Sequence, residues 1–508
     1  MSSSEPLPAT INPRKWRYTW ESNSHVPIIR LYLFNPYTNP SSQCTHLKVS
    51  ILFDKSLLQV TWIDKNQSPA SIWVPIPRVL IDAESPINIR PLDDHIQVKL
   101  VLVLPVDHPI VSGFDFQGAA GDDAALENYY YDDVVQPLQL DSDLKRLASC
   151  GEVHFFCRGC STKLSSTVRH FKEMPSVNWR EAADNWFGTC CCSFGGASEK
   201  LVAQYANSYT CTPGVCLLDA TSVVLCKDDF IGYNFPNRIE HGEHKSLEIS
   251  RTNSSRKADS NDNGTNGSTI DHNSQSECCH SHIDEDQTHS TSELLANKAS
   301  LLNGLLGNCF MVTSPYLSKD IKWSEILCPH CSCLLGAYPH DNIDGPSDDY
   351  GVHLFKCFIS TCPVGGPTDL FRKYTLERMF TSQLLESAKD ELSFRTVVRN
   401  LQTRSPMLQI VLLNPNTWCS FGDCLDAMIP IPNITMYPMV KVLFSNCSNS
   451  TESELRKLDE WVAKNQVGDV YVLTSKALTE SLELANRMLP TSHAFLQVYF
   501  MVPSLKRN

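Results

Sequence analysis

Two Cys-x-x-Cys pairs carry the strongest chemical signal in this chain: Cys157-Arg-Gly-Cys160 and Cys328-Pro-His-Cys331. Two thiolates at this spacing sit on one tight turn and grip one side of a tetrahedral ion. Taken together, Cys157, Cys160, Cys328 and Cys331 complete a single structural zinc site; taken apart, they are two unrelated pairs of reduced thiols. The shared site is favoured because both turns abut apolar, strand-like residues, Val153 to Phe156 and Ile326-Leu327. His330 and Cys333 lie close enough in sequence to substitute for one ligand. A closed four-thiolate site keeps no open position, so it holds structure and does no chemistry of its own.

A second group of thiols follows the segment Pro175-Ser-Val-Asn178-Trp179. There Trp186 is succeeded by Cys190, Cys191 and Cys192. Three consecutive side chains do not face one way, so one or two of them reach any common target. Such a thiolate can act as a nucleophile, accept ubiquitin as a thioester, or ligate a metal held by a partner. The competing reading is buried cysteine packed among tryptophans. His154 and His170 are available as bases, but no spacing ties them to these thiols. Cys419, Cys424 and Cys447 are further acceptor candidates by position only.

The elements that must position these groups read as a mixed α+β protein. Residues 16–150 form a β-sandwich-like N-terminal domain: Ile28 to Phe34, Leu47 to Phe53, Leu57 to Trp62, Ser71 to Ile76 and His95 to Leu104 are β-rich runs between turn formers. Leu138 to Leu147 reads as a short helix. Residues 151–236 hold the first knuckle and the Trp/Cys motif in a central β domain, with strands expected at Val215 to Leu218 and Ser222 to Leu225. Residues 237–293 are rich in Ser, Asn, Asp and His, bury too little apolar surface to offset conformational entropy, and read as a disordered insert. Residues 294–390 carry the second knuckle and an amphipathic helix from Asp369 to Lys389. Residues 391–508 alternate strand and helix as an α/β region, with a capping box at Thr451-Glu-Ser-Glu454.

The 508 residues exceed one core, and about two to four domains are expected. A net charge of −13 leaves no basic excess to neutralise phosphates, which argues against direct nucleic-acid binding. No apolar run approaches the roughly 20 residues that span a bilayer, and the first residues lack the apolar core of a signal peptide. A cytoplasmic or nuclear location follows, where 21 cysteines stay reduced and serve as metal ligands or core residues.

The order of motifs resembles the HECT-like ubiquitin-protein ligase family that binds ubiquitin-conjugating enzymes. The resemblance rests on His154-Phe-Phe-Cys-Arg-Gly-Cys160, the segment from Pro175 through Trp186 with cysteines after it, Ile326-Leu-Cys-Pro-His-Cys-Ser-Cys-Leu-Leu-Gly336, and the closing strand and helix pattern with Val440 to Phe444. It implies a protein that binds a ubiquitin-conjugating enzyme and ubiquitin, accepts ubiquitin on a cysteine and promotes ligation. Cys191, Cys192 and Cys447 are the candidates for that acceptor. It also implies an alternative, a non-catalytic chaperone or inhibitor of the cleavage and polyadenylation endonuclease. In that role one of Cys190, Cys191 or Cys192 would enter the nuclease's metal centre.

Overall fold

The computed structural model describes residues 15–113, 138, 140–174, 211–233, 235, 310–313, 322–340, 351–363, 369–425, 434–490 and 498–501. The protein divides into two units, Met1–Gly232 with Ala299–Asn508, and Tyr233–Lys298; every described strand and helix lies in the first.

Alternating apolar and polar residues dictate the N-terminal strands. In His95–Val101, Ile96, Val98 and Leu100 turn inward while Gln97 and Lys99 face out, the period of a half-buried strand. This strand pairs with Ile28–Phe34, which pairs in turn with Arg17–Asn23. A three-stranded sheet of Thr45–Leu52, Leu57–Ile63 and Pro69–Pro75 shares their core, with Leu58, Val60, Ile72 and Val74 joining Trp20, Ile29, Leu31 and Leu33. Trp20 is fully buried, and its indole N–H donates to Pro75 O at 2.9 Å, so the core holds no unsatisfied indole there.

Arg17–Asn23 also pairs with Pro406–Asp423, an 18-residue strand that binds the N-terminal and C-terminal segments into one nine-stranded sheet. Its first half pairs with Arg395–Asn400 and its second half with Arg17–Asn23, while Tyr437–Asn446 runs along it through both halves. A strand has two edges, so Arg395–Asn400 and Arg17–Asn23 share one edge, end to end. The register shifts twice, between Leu412 and Asn414 and between Asn414 and Thr417. Pro415 sits in this irregular stretch, where its missing N–H costs no ladder bond.

A second sheet carries the thiol-bearing segments. Its order is Lys322–Leu327, Leu334–His340, Val352–Phe355, Ser222–Leu225, Val215–Leu218 and His170–Glu173. The central strands Val352–Phe355 and Ser222–Leu225 are buried along their whole length, His353 and Ser222 included. Gly336 permits the close approach of Leu334–His340 to its neighbour, since a Cβ there would lie 1.9 Å from His353 O. A separate two-stranded pair joins Phe156–Cys157 to Ile359–Ser360.

Four longer helices complete the described residues: Leu140–Cys150, Leu376–Asp390, Glu452–Lys464 and Lys476–Asn486. Thr375 caps the second through Arg378 N–H, and Thr451 with Glu454 closes a full capping box on the third. Among the described residues no helix is long and apolar enough to cross a membrane. The architecture is mixed α+β and strand-rich, with several sheets around a four-cysteine cluster.

Candidate metal centre

The two knuckles are built alike. Cys157 ends the short strand Phe156–Cys157; Cys328 follows Lys322–Leu327, so its knuckle is the loop of a β-hairpin. In the first, Cys157 N–H donates to Thr162 O and Ser161 N–H to Cys157 O; in the second, Cys328 N–H donates to Cys333 O and Ser332 N–H to Cys328 O. Ser161 and Ser332 both adopt the left-handed conformation, at φ 60° and 58°, which turns the backbone back after each second cysteine. Backbone N–H groups of Gly159 and Cys160 point at the Cys157 sulfur, and those of His330 and Cys331 at the Cys328 sulfur. Such donors stabilise thiolate rather than thiol.

The halves meet across sequence separations of 168 and 174 positions: Cys160 Sγ lies 3.5 Å from Cys328 Sγ, and Cys157 Sγ lies 3.6 Å from Cys331 Sγ. All four sulfurs fall within 4.8 Å of one another. Four thiolates at the usual zinc–sulfur distance of about 2.3 Å stand about 3.8 Å apart on a tetrahedron's edges. The cluster therefore has the size of one tetrahedral ion site, and Cys157, Cys160, Cys328 and Cys331 can hold one metal ion together. Burial raises the Cys157 and Cys328 thiols above their ordinary range, against the backbone donors. Burial opposes ionisation of Cys160 too. There the Thr162 hydroxyl at 3.1 Å, the Thr162 N–H and the neighbouring Cys331 and Cys328 thiols prevail, and its pKa falls to about 6.

Residues without any sequence signature fasten the first knuckle to the segment that follows the second sheet. Arg158 donates through its two terminal nitrogens to Tyr374 O and Phe371 O, each at 2.6 Å, and faces Asp369 at 3.5 Å. Asp369 in turn accepts from the N–H groups of Thr361 and Phe371. Behind this segment the wholly buried Asp143 receives Lys373 at 2.6 Å, Lys356 at 3.4 Å and the Tyr374 hydroxyl. Lys356 also lies over the Tyr374 and Phe371 rings, 4.5 and 5.5 Å from their centres. Burial pulls Lys356 below its ordinary value, with Asp143 the main opposing influence. Burial first, and then the Asp143 charge, push the Tyr374 phenol upward. Helix Leu140–Cys150, the strand ending at Phe355 and the approach to helix Leu376–Asp390 are thus tied through one buried carboxylate.

The remaining sequence candidates fall elsewhere. Pro175, Asn178, Trp179, Trp186, Cys190, Cys191 and Cys192 lie outside the described residues, as does the insert at 237–293. Cys447 is buried at 8% exposure, burial raises its thiol, and it packs against Val397 and Leu458. Cys419 and Cys424 are buried as well. His330 and Cys333 are outside the four-sulfur cluster, and both are exposed. Sequence reasoning missed Arg158, Asp143, Lys356 and Lys373. Arg158, inside the first Cys-x-x-Cys, is the one whose position could have drawn notice.

A family model described as HECT-like ubiquitin-conjugating enzyme (E2)-binding matches residues 85–266 and 276–501. Both knuckles fall within the matched residues. No curated protein and no solved structure matches the sequence. The protein belongs to the HECT-like, ubiquitin-conjugating-enzyme-binding family.

Proposed function

From membership of that family, we propose that this protein is a ubiquitin ligase: it binds a ubiquitin-conjugating enzyme and promotes transfer of ubiquitin to substrates. The observation that carries the reading is the family match over residues 85–266 and 276–501. The four-cysteine centre is its structural zinc site. Soft thiolates in a closed tetrahedral set suit zinc, and full coordination assigns the ion to architecture rather than to the transfer step. It ties the first knuckle to the hairpin loop of the second sheet, and the sequence continues from that knuckle through His170–Glu173 toward Cys190, Cys191 and Cys192. These three are the acceptor candidates the proposal favours, because Cys419, Cys424 and Cys447 are buried in packing positions.

The test is a single-turnover discharge assay with the purified full-length protein, ubiquitin-activating enzyme, ATP, ubiquitin and a panel of conjugating enzymes. A reducing-agent-sensitive ubiquitin adduct on the protein, lost on one Cys→Ala change among Cys190 to Cys192, supports the ligase. No binding and no accelerated discharge with any conjugating enzyme would refute it. In a second reading burial again sets Cys447 aside as an acceptor, no cysteine carries ubiquitin, and one of Cys190, Cys191 or Cys192 instead ligates the metal centre of the pre-mRNA 3′-end endonuclease. There Cys191→Ala or a neighbouring change would abolish nuclease binding while no adduct ever forms.

A further inference from the structure

The near-symmetry of the two knuckles breaks at one position. Thr162 and Cys333 are equivalent: each carbonyl accepts the N–H of its knuckle's first cysteine. Thr162 places a hydroxyl on the Cys160 sulfur, whereas the second knuckle places a fifth thiol beside the cluster. A side chain starting at Gly159 would meet Cys333 Sγ at 3.5 Å, Cys331 Sγ at 3.7 Å and Cys157 Sγ at 3.8 Å from a single point. The Cys333 sulfur therefore shares the space beside Gly159 with the Cys331 and Cys157 sulfurs, outside the four-sulfur set. Cys333 is exposed and Cys331 and Cys160 are half-exposed, while Cys157 and Cys328 are buried, so solvent reaches Cys331, the ligand two residues from Cys333, as it does Cys160.

We propose that Cys333 is an oxidation site that controls metal retention: a hydroperoxide oxidises Cys333, and Cys331 then leaves the ion to form a Cys331–Cys333 disulfide. In the first step the Cys333 thiolate attacks one oxygen of hydrogen peroxide. The O–O bond breaks, hydroxide leaves and takes up a proton, and the sulfur becomes a sulfenic acid. In the second, the Cys331 thiolate attacks that sulfur, the S–O bond breaks, and the departing hydroxide is likewise protonated to water. Two thiols lose two electrons, peroxide becomes two waters, and the ion is left with three protein sulfurs. A dithiol reductant reverses the change by returning two electrons to the disulfide. The inference rests on the zinc reading of the four-cysteine centre for its consequence, though not for the disulfide itself.

The experiment uses the full-length zinc-loaded protein, hydrogen peroxide and a chromogenic zinc chelator, with peptide mapping under non-reducing conditions. Wild type is expected to release zinc at least about threefold faster than Cys333→Ser or Cys333→Thr, the residue found at the equivalent place in the first knuckle. Cys150→Ser, which removes an exposed thiol on helix Leu140–Cys150, should release at the wild-type rate. Oxidised wild type should yield a Cys331–Cys333-linked peptide, and dithiothreitol should restore zinc uptake. Equal release from wild type and both Cys333 variants, or oxidised protein lacking that linkage, would overturn the proposal. The zinc content before peroxide separately tests the metal reading. Protein purified without zinc sinks that reading, and the linkage still decides whether Cys333 is the oxidised partner.

Discussion

Replacing Arg158 with alanine asks whether the proposed ion alone would hold the first knuckle or whether the clamp behind it contributes as well. The guanidinium makes two charge-assisted bonds at 2.6 Å, to Phe371 O and Tyr374 O, and a looser contact with Asp369 at 3.5 Å. Hydrogen bonds to charged groups contribute about 1.5–3 kcal/mol each. The side chain is 28% exposed, so water takes over part of the loss, and the Asp369 contact is discounted as a partly solvated ion pair. The expected cost is about 2–4 kcal/mol, read as a lowered urea midpoint of the metal-loaded protein at unchanged slope. Arg158→Lys keeps the charge but cannot span two carbonyls, so it should recover less than half of the deficit. No sulfur is touched, so Arg158→Ala should still bind one zinc and surrender it faster to a chelator. A midpoint shift worth less than about 0.5 kcal/mol, with wild-type chelation kinetics, would show that the clamp contributes nothing and that the ion alone fixes the knuckle.

Serine at Cys157, Cys160, Cys328 or Cys331 should each lower zinc affinity by at least about a hundredfold, since even outer partners of metal ligands cost about 10–100-fold; metal analysis after dialysis checks this. Asp143→Asn strips the ion-paired carboxylate from Lys356, which is wholly buried, and from Lys373, and should cost about 3–5 kcal/mol, whereas Lys356→Met leaves Asp143 paired with Lys373 and should cost less than about 2 kcal/mol; equal denaturant shifts would refute the hub. Gly336→Ala drives a methyl to 1.9 Å from His353 O and should cost more than about 3 kcal/mol, visible as loss of soluble folded protein. Thr451→Ala should lower stability by about 1 kcal/mol through the lost cap. The Thr451 N–H first, and its hydroxyl second, hold Glu454 below its ordinary pKa. That contribution is complete above the ordinary glutamate value and lost as pH falls through the lowered one. The variant's deficit should therefore shrink in acid, and a deficit that grows would be the wrong sign.

What could be read from sequence and what could not divide along the range of the interactions. A Cys-x-x-Cys turn, a Thr-x-x-Glu cap or the apolar run Ile28–Phe34 is complete within a few residues, and the structure repeats each with little change of boundary. The helix expected from Asp369 to Lys389 begins only at Leu376, because Phe371 and Tyr374 stay out of it to offer their carbonyls to Arg158. That demand comes from a residue more than 200 positions away. Asn414-Pro-Asn-Thr417 has the composition of a turn, which predicts that the strand from Leu408 ends at Leu413. Instead the strand runs on to Asp423. Its irregular residues sit where one edge changes partner from Arg395–Asn400 to Arg17–Asn23, so turn-forming residues mark a seam inside a strand.

The same seam shows why the first strand escapes a sequence reading. Arg17–Asn23 alternates poorly in composition, with Thr19, Glu21 and Ser22 all buried. These residues are tolerated because neighbours meet them: Thr19 donates to Met488 O, Glu21 receives Lys441, and Ser22 donates to Ile28 O. Two of those three partners belong to the C-terminal region. Composition alone shows polar residues and implies a surface. The fold, by contrast, uses them to fasten its beginning to its end, as it uses four distant thiols to fasten its middle. In both places polar groups meet distant partners that only the completed fold supplies, Met488 and Lys441 for the first strand and the second knuckle for the first knuckle.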